Sequence, residues 1–302
     1  MSKTRTRSLA ALAGAAVLFT VGADADAGIT IDEHGFNALI FGSVHYQNTD
    51  FEGRLAAGGS VFLQNMAIGS KLANSSGARD DLIVGGSLQW VNGQVFSGNI
   101  RYAGAAALTG VGLPGGSAYQ APAPFDFNAA RAQAEQSSAL WSGLTITGST
   151  TVTPWNAITL SGAASGLNVF HLSGAALAKA VSLSIAAPTG STVLINVDGS
   201  SASMKNFGFF LSGVEDRDIL FNFYEADTLN MSSVGVKGSV FAPFADVIFN
   251  NGSMDGSLVA SSLTGTGEFH HRQFRGDLPQ IPAPGAVATL ALAGLALARR
   301  RR

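Results

Sequence analysis

No cysteine occurs in this chain, so it has no disulfide, no thiolate metal ligand and no cysteine nucleophile. Charge is also scarce: Asp, Glu, Lys and Arg make up 13% of the residues. Tyr and Trp number 4 and 3 against 19 Phe, so most of the aromatic bulk has no polar handle and suits a dry core. The apolar runs fall short of the roughly 20 residues of a comfortable transmembrane helix. GxSxG, P-loop, HExxH and dinucleotide glycine patterns are missing, and nothing in the order of Ser, His and Asp sets up a triad. The sequence therefore offers no catalytic residue, no cofactor site and no closed metal site.

What remains is glycine, 37 residues of it, with short aliphatic and β-branched segments between. LTIT, TTVT, AITLSG, LNVFHLSG, VSLSIAAP, STVLINVDG, FGFFLSG and ILFNFYEAD alternate apolar and polar positions and break at Gly, Asn or Pro, which predicts many half-buried strands. GSVFA at Gly238 and GSLVA at Gly256 repeat at 18 residues, and GSVFL at Gly59 and GSLQW at Gly86 at 27. Such a repeat predicts solenoid rungs, with the glycine supplying a positive φ at the corner. Residues 28–48 read as an N-terminal cap. Val236 to Gly276 reads as the closing rungs. One helix interrupts the strands, about 126–142: Asp126 caps it, and Phe127, Ala130, Ala134, Ser137, Trp141 and Leu144 share a face that can lie along the solenoid.

Both ends read as processing signals. Lys3, Arg5 and Arg7 precede an apolar run and Ala25-Asp26-Ala27, a secretory leader over 1–27 cut between Ala27 and Gly28 by signal peptidase. At the other end, linker and motif 279–285 contain Pro282-Ala283-Pro284-Gly285, followed by a hydrophobic helix and Arg299 to Arg302 over 286–302. This order resembles the PEP-CTERM class of bacterial sorting tails, which implies an exosortase-type enzyme, although the motif's usual glutamate is missing; a plain C-terminal membrane anchor is the alternative. Either way the basic cluster holds the chain at the inner membrane before any cut. Without these two segments the body keeps an acidic excess of about seven charges, which disfavours nucleic acid.

Three groups are candidates for chemistry. Glu268, His270 and His271 in GEFHHRQF bring imidazoles and a carboxylate together, but adjacent histidines on a strand face opposite ways. With no third ligand nearby, they predict a hydrogen-bonded terminal rung in which Glu268 pairs with His270 or Arg272. Glu215-Asp216-Arg217-Asp218 and Glu225-Ala226-Asp227 concentrate acid, as a solvated turn or, alternatively, a calcium site. Thr145/Thr147 and Thr151/Thr153 put hydroxyl pairs on strand faces, but two pairs six residues apart are no stacked array.

EGRLAAGGSV (Glu52 to Val61), IVGGSL (Ile83 to Leu88), the helix FDFNAARAQ, VLINVDG (Val193 to Gly199), ILFNFYEA (Ile219 to Ala226) and the run GSVFAPFADV through GEFHHRQFRGDLP occur in one order across 28–278. In this ordered set the chain resembles the choice-of-anchor A family, whose domain is described as ice-binding-like and adhesive. The resemblance implies a mainly β fold, a right-handed parallel β-helix with a helix alongside, displayed outside the cell or on its envelope. The expected function is non-enzymatic adhesion to a repetitive partner such as an exopolysaccharide, a protein or a surface. A polysaccharide-active β-helix enzyme and an ice-binding protein are the alternatives.

Overall fold

The computed structural model describes residues 35–281. The expected leader with its Ala27/Gly28 cut, the Pro282–Gly285 motif and the tail helix 286–302 lie outside the described residues.

The strands stack as a parallel β-solenoid with three faces. On the first, ten short segments pair in one unbroken parallel order: Leu167–Leu172, Thr192–Val197, Ile219–Phe223, 239–242, 258–260, Phe36–Ile40, Arg54–Ala57, Asp80–Val84, Asn99–Tyr102 and Ala118–Gln120. The second face stacks eight: Ser201–Lys205, Thr228–Ser232, 246–250, 262–265, 44–47, 61–64, 88–91 and 106–109. The third begins with the antiparallel hairpin Ser149–Val152/Ala157–Ser161 and continues through Ser182–Ala186 and Gly208–Ser212. Further along it lie Gly235–Lys237, Ser253–Asp255 and Glu268–His270, which meets Phe51. Inward side chains from all three faces fill one core, with Tyr46, Phe51, Trp90, Phe221, Phe249 and Phe269 fully buried. Phe51 and Phe269 stack there at 4.6 Å.

The expected repeats are the rungs themselves. Val240 pairs with Leu258 and Val61 with Leu88, at the same 18- and 27-residue offsets as the Gly-Ser motifs. The reason for the glycines differs from the expected one. Gly59, Gly86 and Gly256 do not have positive φ. They are needed because rungs approach backbone to backbone: a Cβ on Gly86 would sit 2.7 Å from the Gly59 carbonyl carbon, and one on Gly256 2.3 Å from the Gly238 oxygen. Of the motif's glycines only Gly238 has the expected conformation, at φ +131°. Most left-handed corners between the second and third faces belong to asparagine, whose short polar side chain tolerates αL, with Ser233 and Gly110 at two others. Asn48, Asn65 and Asn92 have φ 58°, 51° and 57°, and the chain turns there from the second face to the third. Their side chains form a ladder, Asn65 Nδ2 donating to Asn48 Oδ1 at 2.9 Å and Asn92 Nδ2 to Asn65 Oδ1 at 3.4 Å.

The stacking order corrects two expectations. Residues 36–40 are no cap: they lie in mid-solenoid, paired on one edge with 54–57 and on the other with 258–260. The rungs of 236–276 are last in the chain but interior in space. The described part begins in the middle, stacks outward to 118–120, crosses back along the first face, and fills the other half inward until 258–260 pair with 38–40.

The crossing is made by α1 (Phe127–Ser142), as expected from 126–142. Asp126 caps it, its Oδ1 accepting from the Asn128 amide at 2.8 Å. Sixteen residues rising about 1.5 Å each span about five rungs of 4.8 Å. Ala130, Ala134 and Trp141 press onto a second apolar layer that includes Leu39, Ala56, Ile83, Leu220, Phe241 and Val259. The small alanines let helix and sheet approach closely, and Trp141 reaches over Phe241 at 4.8 Å between rings. A buried amide ladder fixes the register: Asn222 accepts from the Ser138 hydroxyl at 2.6 Å and donates to Ser138 O and Asn196 Oδ1, while Asn196 donates to Trp141 O. The first face is thereby covered; the second is left open.

Candidate functional site

The open second face is the candidate binding surface. Its register aligns outward side chains in rows along the solenoid axis. One row runs Ser201, Thr228, Asp246, Ser262 and continues in register through Ser43, Ser60 and Ser87. Neighbours in it are bonded, Thr228 Oγ1 to Ser201 Oγ at 3.2 Å and Ser262 Oγ to Asp246 Oδ1 at 2.6 Å. The next row runs Asn230, Ile248, Thr264, His45, Phe62, Gln89 and Ala107. His45 and Phe62 stack at 4.6 Å with an interplanar angle of 30°. A third row carries Gln47, Gln64, Val91 and Thr109. A shallow trough lies across Ser43, His45, Ser60, Phe62, Ser87, Gln89 and Thr264. Rows repeat about every 4.8 Å between rungs and about 6.7 Å along a strand.

A sequence signal for this face exists in a further copy of the Gly-Ser motif. Gly42-Ser43-Val44 stands 17 residues before Gly59-Ser60-Val61, and each of Gly42, Gly59 and Gly86 is followed six residues later by a corner asparagine. In an alternating strand the motif's serine and the residue two further on both point outward, which selects Ser43, Ser60, Ser87, His45, Phe62 and Gln89.

Glu268, His270 and His271 lie on the third face. His270 Nε2 is 3.4 Å from Glu268 Oε1, but its main partner is Asp255, which contacts Nδ1 and which Lys237 also reaches. Burial works against a charge on His270, and the Asp255 carboxylate outweighs it, leaving the imidazole pKa raised. Burial likewise opposes ionisation of Asp255, and the bonds from Lys237 and His270 overcome it, holding that carboxyl below its ordinary range. His271 points elsewhere: its backbone amide donates to Glu52 Oε2 at 2.8 Å, its buried Nδ1 makes no hydrogen bond, and burial lowers its pKa. The cluster ties three neighbouring rungs and the chain beyond them together.

The Glu215–Asp218 segment is a turn, as expected, but only Glu215 in it is exposed. It forms a 3₁₀ turn whose acids hold the chain after the last strand: Arg272 reaches Asp216 at 2.7 Å and Arg275 reaches Asp218 at 2.8 Å. Asp218 is buried, which opposes its ionisation, and the Arg275 bond holds its pKa down nonetheless. The turn looks solvated in the sequence because Arg272 and Arg275 are 56 and 57 residues away. Among the described residues no group of three or more His, Asp or Glu is arranged to hold a metal. The threonine pairs do not stack either. Thr147 Oγ1 accepts from the Val169 amide, on the edge of 167–172, and Thr153 Oγ1 accepts from the Ala157 amide in the hairpin turn, so these two hydroxyls already have backbone partners.

A model of the family described as "Putative Ice-binding-like adhesive domain" matches residues 32–271. The chain belongs to this ice-binding-like adhesive family. A comparison with curated proteins returned no match. Among solved structures, the chain is similar to an ice-binding protein from the Antarctic ascomycete Antarctomyces psychrotrophicus, with a TM-score of 0.40 and 12% identity over 83% of this chain and 100% of that one. It is also similar to an ice-binding protein from an Arctic yeast, with a TM-score of 0.29 and 11% identity over 85% and 96% of the respective chains. Within this adhesive domain, the second face is an extended sheet that α1 leaves uncovered.

Proposed function

We propose that this domain is a non-enzymatic adhesin, exported and held at or beyond the cell envelope, whose open second face binds an extended neutral polysaccharide. The observation that carries the proposal is the trough over Ser43, Ser60 and Ser87 with the His45–Phe62 stack beside it. A stacked aromatic pair offers a flat apolar patch to a sugar ring, while flanking hydroxyls and the Gln47, Gln64 and Gln89 amides offer donors and acceptors at rung spacing. The acidic body favours a neutral glycan over a uronate polymer. Glycoside cleavage uses a pair of carboxyl groups across the scissile bond. The residues lining the trough are serines, small aliphatics, an imidazole, a phenyl ring, an amide and a threonine, a set suited to holding a glycan.

One observation favours ice as a second reading: the hydroxyl row Ser262, Ser43, Ser60, Ser87 is regular enough to order water along the axis. Against it, Phe62, Ile248 and the glutamines stand up from the sheet and Asp246 adds a charge, which breaks the flat apolar-hydroxyl surface that a crystal plane requires.

The test is pull-down of the full chain on an insoluble neutral glucan, a uronan and growing ice, with Phe62→Ala beside the wild type. Retention on the glucan, lost at least tenfold in Phe62→Ala with an unchanged melting temperature, is the expected result. Equal retention of both proteins refutes the site. Release of reducing sugar converts the reading to an enzyme, and thermal hysteresis without glucan retention converts it to ice binding.

A further inference from the structure

The two ends of the solenoid are finished differently. At one end the outer edge of 167–172 is occupied by the preceding chain: the Thr147 and Gly148 amides both donate to Val169 O, and the Thr150 hydroxyl donates to His171 O. A short helix, α2 (Gly174–Leu177), packs on the outermost strand of the second face, and the third face closes in a four-residue hairpin arm. At the other end the last strand of the second face, Ala106–Gly112, pairs among the described residues only with Leu88–Val95. Leu88 N donates to Ala105 O, so 105, 107 and 109 bond inward, and Ala106 and Leu108 turn their amides and carbonyls away from the ladder. Behind this edge Leu108, Val111, Leu113 and Ala118 leave the end of the core partly exposed.

Natural edges of this kind are blunted by Lys, Pro or a cover. Here no charged residue occurs between Arg101 and Asp126. We propose that a second copy of this chain pairs on the 106–109 edge across a two-fold axis normal to the open face. The identity of the partner follows from charge and closure. A two-fold contact sets a patch against itself, which a charged patch resists and this neutral one does not. Head-to-tail stacking is blocked because the opposite end is covered. Antiparallel pairing centred on Ala107 sets Ala106 against Leu108 of the partner subunit and forms roughly four new backbone hydrogen bonds. It also covers the exposed end of the core.

The geometry has a consequence for binding. A two-fold normal to the sheet keeps both open faces on one side, so two eight-stranded surfaces become one sheet of double length, and a repetitive partner is gripped at two sites.

The experiment is light scattering of the full chain over a range of concentrations, beside Ala106→Pro. Proline at 106 removes only an amide that faces outward, so the inner ladder is kept. The wild type is expected to reach twice the monomer mass as concentration rises, and Ala106→Pro to stay monomeric with the melting temperature of the dilute, monomeric wild type. A wild type that stays monomeric, or a variant that still dimerises, overturns the proposal. Should the variant not fold, hydrogen exchange on the wild type decides. The Ala106 and Leu108 amides must gain protection with concentration, while Ala107 is protected throughout; protection independent of concentration means that another segment of the same chain covers the edge, which overturns the proposal. Loss of glucan binding alone leaves the mass measurements intact, so the dimer and the adhesin reading fail separately.

Discussion

Asn222 is where the helix and the sheet are locked together, and its replacement gives the sharpest test of how the first face comes to be covered. The residue is fully buried. It accepts from the Ser138 hydroxyl at 2.6 Å and donates to Ser138 O at 2.9 Å and Asn196 Oδ1 at 2.8 Å. In Asn222→Ala these three bonds vanish. The Ser138 carbonyl keeps its place in the helix, so the groups left stranded are the Ser138 hydroxyl and the Asn196 amide oxygen. Three bonds at about 1 kcal/mol each, plus a buried acceptor without a partner at about 1–3 kcal/mol, give an expected loss of about 4–6 kcal/mol. The assay is urea unfolding of the full chain followed by tryptophan fluorescence, since Trp141 sits one turn away against Phe241. A loss below about 1 kcal/mol refutes the claim that the amide ladder fixes the helix. So does strict additivity with Ser138→Ala, because residues that share a hydrogen bond must couple.

Two further outcomes are expected. Gly86→Ala puts a methyl 2.7 Å from the Gly59 carbonyl carbon, where backbone cannot yield, and is expected to cost about 1–3 kcal/mol by thermal melting, whereas Gly190→Ala strains its positive φ but meets nothing within 4 Å. An unchanged melting temperature in Gly86→Ala refutes the close-approach argument. For His270 the folded pKa is raised above the unfolded value of about 6.5, so its stabilisation is complete below that value and fades as pH rises through the folded one. The stability gap between wild type and His270→Gln is therefore expected to shrink as pH rises above the unfolded value, and a gap that widens with pH refutes the Asp255 pairing. His271 titrates in both proteins and cancels from the difference.

The local pieces of the fold were legible because their causes are local. Asp126 can cap only the residues directly after it, and the helical spacing of Ala130, Ala134 and Trp141 finds the buried stripe without any knowledge of the sheet. Alternation finds the strands, and the Gly-Ser spacing finds the rung lengths, because each rung must return to the same corner before it can stack. Ser138 escaped notice, since a serine on a helix has no sign that an asparagine 84 residues later will meet it.

The sequence by itself determined a cysteine-free solenoid with one long helix, rungs of 18 and 27 residues, and outward positions on alternating strands. The tertiary structure alone decided the order in which the rungs stack. A parallel strand offers the same hydrogen-bonding pattern on either edge, so alternation cannot say whether residues 36–40 begin an end or a middle. That choice is made by α1, which is long enough to carry the chain past the first rungs and start again beyond them. The same choice puts His270 beside Asp255, covers one face, leaves the Ser60 and Phe62 face bare, and leaves 106–109 as an open edge.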